Sequence, residues 1–145
     1  MKTYFDHEKL DVYQESIVFC SWVGDLLSEI TSKAAAKDQL DRASTSLPLN
    51  IAEGNGKFSG ADRSRFLEIA RCSALECAAC LDVLVARRLI AAERIVPAKE
   101  QLVRIVKMLM GMLKRFSGRA EFLREDEGIY PSEYDHDHEH EQEHD

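Results

Sequence analysis

Histidine is nearly missing from the body of this chain. Of its five, His136, His138, His140 and His144 stand in the last ten residues, and His7 alone precedes them. A serine or cysteine nucleophile in the body therefore has no evident imidazole partner. Long apolar runs are missing as well. No stretch approaches the roughly 20 apolar residues of a membrane-spanning helix, and the opening MKTYFDHEKL has no apolar h-region. A soluble, cytosolic protein without a membrane partner is expected. Glycine is sparse, and Gly54, Gly56 and Gly60 lack the lysine and following hydroxyl of a phosphate-cradling loop, so they read as a helix stop and a hairpin turn. Cys20, Cys72, Cys77 and Cys80 fall within helical patterns and read as reduced, small core residues. Cys77-x-x-Cys80 lacks the second pair that structural zinc requires. Neither a cofactor nor a metal site is expected.

What is present is enough apolar material for one domain: 145 residues, 45% of them hydrophobic. The net charge of −7 conceals a division. Residues 121–145 hold eleven acids against Arg124 alone, which leaves residues 1–120 mildly basic at +3. The tail has no apolar period and cannot recover its ordering entropy by burial, so residues 125–145 are expected to be disordered beyond a helical domain over 1–124. Its histidines, interleaved with carboxylates, suit nickel, copper or zinc; a solvating tail with adventitious metal affinity is the plainer reading.

Four helical segments fill the body. The first, from about Leu10 to Thr31, gathers Val12, Phe19, Val23, Leu26, Leu27 and Ile30 on one side. Val18 and Trp22 fall on the polar side, where a tryptophan over the bundle edge and a contact with another subunit are the two readings. The second runs from about Lys37 to Glu53, with Gly54 placed to end it in a left-handed conformation. Ser59 reads as the N-cap of the third, which continues to about Ile90. That helix has two apolar faces, one of Phe66, Ala70, Cys77, Leu81 and Leu84, another of Cys72, Ala79, Val83 and Ile90, and so predicts partners outside its own bundle. The fourth starts near Pro97 and runs to about Leu123. Opposite its core face, Arg104, Lys107, Lys114, Arg115 and Arg119 share an arc of roughly 140°. This basic stripe is either a phosphate-binding surface or an ordinary solvated face. Four long helices with short links and no convincing strand predict an all-α, antiparallel up-down four-helix bundle.

Pro48 sits inside the second helix, where it removes a backbone hydrogen bond and crowds the carbonyl of Ser44, at ~3 kcal/mol in a plain helix. The hydroxyls of Ser44, Thr45 and Ser46 are expected to serve the freed groups, with Asn50 and Glu53 forming a polar network with Ser73 and Glu76 across to the third helix. Here the residues carry a resemblance. Ser46, Pro48, Asn50, Ile51, Ala52, Glu53 and Gly54 reproduce an S-x-P-x-N-I-A-E-G signature. Leu10, Val12, Tyr13 and Gln14 fit the accompanying opening pattern, and Phe66, Leu67, Ile69, Ala70, Ser73, Leu75 and Glu76 fit the pattern after the glycine loop. Over residues 8–118 the chain resembles the bacterial four-helix-bundle family of proteins encoded in intervening sequences of 23S rRNA genes, which also includes accessory proteins of diversity-generating retroelements. Cys72, where that family usually has glycine, departs from the pattern, as does the acidic tail.

The resemblance implies a homopentameric ring without catalytic activity, and nucleic-acid binding through basic surfaces in the retroelement branch. Three functions follow for comparison: an oligomeric adaptor for RNA or DNA, a scaffold for a protein partner, and, weakest, an enzyme using Glu53, Glu68 or Glu76 as acid or base.

Overall fold

The computed structural model describes residues 2–116, and all of its regular structure there is helical. A 3-10 turn, Asp6–Lys9, leads into α1 (Asp11–Glu29); α2 (Ala35–Gly56) and α3 (Gly60–Ala86) follow, and a second 3-10 turn, Ala92–Ile95, leads into α4 (Val96–Phe116). The helices pack in cyclic order, α1 on α2, α2 on α3, α3 on α4 and α4 back on α1. Their apolar stripes meet in one core, whose fully buried members include Phe19, Leu26, Leu40, Leu47, Ile51, Leu67, Leu81, Leu84, Ile105 and Leu109. The core stripes of α1 and α4 follow the sequence pattern closely, with Val12, Phe19, Val23 and Leu26 buried on one and Leu102, Ile105, Leu109 and Met112 on the other.

Several helix ends differ from expectation. Helix α2 does not stop at Gly54; it runs on to Gly56, and Gly54 is buried inside it. A Cβ there would lie 3.1 Å from Phe66 Cβ and 3.3 Å from the Arg63 carbonyl oxygen. The glycine is needed because α3 approaches there, not because the backbone turns left-handed. Helix α3 ends at Ala86, short of Ile90. Arg88 adopts φ 60, the N–H of Leu89 bonds the Leu84 carbonyl at 3.0 Å, and half-buried Leu89 packs on the core. That is a Schellman stop in which arginine occupies the position usually given to glycine. Ser59 does cap α3, its Oγ accepting from the Asp62 N–H at 3.1 Å. The tail and the expected boundary at residue 124 lie outside the described residues, as does Arg119.

The proline is accommodated in a way the sequence did not foretell. The Ser44 carbonyl, deprived of its helical donor by Pro48, accepts from the Cys20 thiol of α1 at 3.0 Å. Ser44 Oγ and Thr45 Oγ1 instead both donate to the Asp41 carbonyl, at 3.1 and 2.8 Å. Burial pushes the Cys20 thiol's pKa up, which keeps it protonated and able to donate.

Candidate nucleic-acid interface

The signature residues of α2 form part of the wall between α2 and α3. Asn50 Nδ2 donates to the Ser46 carbonyl at 2.8 Å and lies 2.9 Å from Ser46 Oγ, which is itself 2.9 Å from buried Ser73 Oγ. Ile51 is fully buried and Ala52 half-buried. The expected network is therefore smaller than the sequence suggested. It joins Ser46, Asn50 and Ser73, while Glu53 and Glu76 stand exposed outside it, free of its hydrogen bonds.

On α4 the basic residues stand outward. Arg104, Lys107, Lys114 and Arg115 are all exposed on the side opposite Leu102, Ile105 and Leu109. The neighbouring face of α1 partly answers them. Arg104 lies 3.9 Å from Glu15, whose carboxylate also accepts from Gln101 Nε2 at 2.9 Å, and Asp11 borders the same groove beside Lys107. One end of the stripe is thus partly neutralised within the chain, whereas Lys114 and Arg115 enter no ion pair among the described residues.

The two faces of α3 separate as their periodicity requires. Ala70, Cys77, Leu81 and Leu84 are buried, joined by Leu67, Ala74 and Cys80. Ile69, Cys72, Leu75, Ala79 and Val83 are exposed. Cys72 is consequently not a core residue, and Phe66 is only half-buried. The Cys77 thiol is raised well above the ordinary range by burial, with the nearby Cys80, Cys20 and Glu76 adding to the shift, and Cys80 is raised by burial and then by Glu76. Thiols so disposed are poor nucleophiles and poor metal ligands. Among the described residues no three His, Cys, Asp or Glu side chains gather as a metal site would require, and no helix is long and apolar enough to cross a membrane. Trp22 lies half-buried at the bundle edge, stacked on Phe19 with ring centroids 6.1 Å apart and facing the Arg94 guanidinium at 5.5 Å.

Comparison with known proteins agrees with this architecture. No curated protein matches the chain. A crystal structure of a protein of unknown function from the S23 ribosomal protein family of Bacteroides thetaiotaomicron VPI-5482 is similar at a TM-score of 0.68 and 25% identity. The match covers 71% of this chain and 98% of that one. Residues 8–111 match the family model of the 23S rRNA-intervening sequence protein, a span that holds the α2 signature, the α3 wall and, of the α4 stripe, Arg104 and Lys107. With more than half its length matched, the chain belongs to the 23S rRNA-intervening sequence protein family.

Proposed function

We propose that this chain is a non-catalytic, homo-oligomeric adaptor of the cytoplasm that binds RNA or DNA without reading sequence. The observation that carries the proposal is the exposed row Arg104, Lys107, Lys114 and Arg115 along α4. Cations repeated along one helix face suit phosphates at regular spacing and make no demand on base identity. In this reading the helices run up and down in antiparallel order. The pairs Asn55 with Asp6, Lys99 with Asp82 and Arg94 with Glu29 support it, since each joins the late part of one helix to the beginning of its neighbour or the turn that leads into it. Copies assemble into a ring of five through the outward apolar face of α3, where Ile69, Leu75 and Val83 are each more than 40% exposed. Such a ring repeats the α4 row around its surface and gains avidity from the repetition. In that role the protein resembles the accessory proteins of diversity-generating retroelements.

The partial neutralisation of Arg104 by Glu15 favours a second reading, a scaffold that presents the ring to a protein partner. Fluorescence anisotropy with a labelled oligonucleotide across a salt series separates the two. The adaptor reading expects Arg104→Glu/Lys107→Glu to weaken binding on every sequence alike, removal of residues 126–145 to tighten it, and affinity to fall as salt rises. Absence of binding at low ionic strength, with or without the tail, leaves the scaffold.

A further inference from the structure

The end of the bundle where the α2–α3 link meets the last turn of α4 carries a further basic surface, which shares Arg115 with the α4 row and is otherwise built differently. Phe58, in the three-residue link between the helices, is fully exposed at 102%. The fold leaves such a ring unburied at a position where serine or glycine would complete the turn. Two further rings, Phe66 near the start of α3 and Phe116 at the end of α4, are each flanked by two cations. Lys57 Nζ lies 4.9 Å and the Arg65 guanidinium 5.2 Å from the ring centre of Phe66. Arg63 and Arg115 lie 5.0 and 5.8 Å from that of Phe116.

The two ring-and-cation groups are tied together. Arg63 Nε donates to the Lys57 carbonyl at 2.6 Å. The α4 terminus is seated on the start of α3, where a Cβ on Gly60 would come within 2.6 Å of the Phe116 carbonyl oxygen. Among the described residues, one carboxylate pairs with these cations and a second is held nearby in the chain's N-terminal turn by Asn55. Asp62 lies 3.6 Å from Arg65, and Asp6, from the N-terminal turn, accepts from Asn55 Nδ2 at 3.1 Å.

We infer that this end of the bundle binds single-stranded nucleic acid, with Phe58 as the platform on which a base stacks and Lys57, Arg63, Arg65 and Arg115 as the clamp on flanking phosphates. The inference rests on the proposed nucleic-acid function and adds the strand type and the place. A duplex offers phosphates but keeps its base faces inside the stack, and an acidic peptide offers carboxylates without an obligatory π-face. A single strand offers both in alternation, as Phe58 and its cations do.

The test uses the full-length chain, at low salt, with a labelled oligothymidine of about twenty nucleotides, an abasic strand of equal charge and a duplex. Phe58→Ala is expected to weaken oligothymidine binding about ten-fold while leaving the abasic strand unchanged, and Phe58→Trp to retain binding. Arg65→Ala is expected to lower the salt slope on the single strand by about 0.7. Three outcomes overturn the inference alone: oligothymidine binding that ignores Phe58→Ala yet vanishes in Arg104→Glu/Lys107→Glu, polyglutamate binding that is equally sensitive to Phe58→Ala, or a Phe58→Ala protein whose assembly mass by light scattering has changed. Failure of every probe to bind overturns it together with the nucleic-acid reading beneath it.

Discussion

Replacing Cys20 by alanine removes the thiol that serves the Ser44 carbonyl, and the size of the loss depends on whether residue 48 can take its place. With Pro48 present the carbonyl is left without a partner beneath α1, at about 1–2 kcal/mol given that the site is only partly buried. The missing sulfur adds up to ~0.8 kcal/mol of lost packing. In a Pro48→Ala background the backbone N–H that the substitution restores reaches the same carbonyl along the helix, so Cys20→Ala costs the packing alone. A double-mutant cycle should therefore give a coupling of about 1–2 kcal/mol, well beyond the ~0.3–0.5 kcal/mol scatter of independent sites. Urea unfolding followed by circular dichroism, at one fixed chain concentration because assembly contributes to stability, supplies the four values. Cys20→Ser, which keeps a donor, should lose less than Cys20→Ala. Additivity of Cys20→Ala and Pro48→Ala would refute the reasoning, for it would mean that the 3.0 Å contact contributes nothing net. The donor also sets a pH signature. Folding raises the Cys20 thiol above its ordinary 9.0, so the unfolded chain releases that proton first. The contribution is intact below about pH 9 and is lost as pH rises through the folded value, and Cys20→Ala should flatten that alkaline decline.

Arg88→Gly should raise stability by about 0.5–1 kcal/mol in the same urea assay, because glycine holds φ 60 without the Cβ strain that arginine bears; a loss would mean that the arginine side chain stabilises the stop in some other way. Gly60→Ala tests the seat of α4 by the sign of its effect. Helix propensity alone favours alanine by ~1 kcal/mol, whereas a methyl 2.6 Å from the Phe116 carbonyl forces a backbone shift at about 1–3 kcal/mol, so a net loss is expected.

Periodicity sufficed for the four helices, since an apolar stripe such as Leu102, Ile105, Leu109 and Met112 records which side faces inward. It also separated the buried and exposed faces of α3. What it cannot record is which residue stands opposite which across two helices. Cys20 reads in the sequence as a small core residue, whereas it is half-buried and acts as a donor, which periodicity cannot show because its partner lies 24 residues away. Gly54 was misread because a glycine near a helix end serves equally as a left-handed stop and as room for a neighbouring helix, and the choice lies with Phe66 and Arg63. Glu53 and Glu76 were drawn into the Ser46 network on spacing alone, although two carboxylates in a half-buried wall would have needed cations there. The surface around Phe58 escaped for a related reason. Lys57, Phe58, Arg63, Arg65 and Phe66 mix basic and aromatic residues over a turn and a helix start, where no single period applies, and the fold alone brings Arg115 and Phe116 to them.

The thiol beneath the proline bears on how the chain can be cut and in what order it can fold. A helix that relies on another segment for one of its backbone bonds is not autonomous: a peptide spanning α2 alone leaves the Ser44 carbonyl to water and has no thiol to take the place of the donor that Pro48 removes. The α2–α3 hairpin can nucleate through Leu47, Ile51 and Leu67, which lie close in sequence, but α2 reaches its final form only when α1 docks. Fragments that begin after α1 should on this ground hold a looser α2, and α1, the shortest of the four, becomes the segment that locks the bundle although it comes first in the chain.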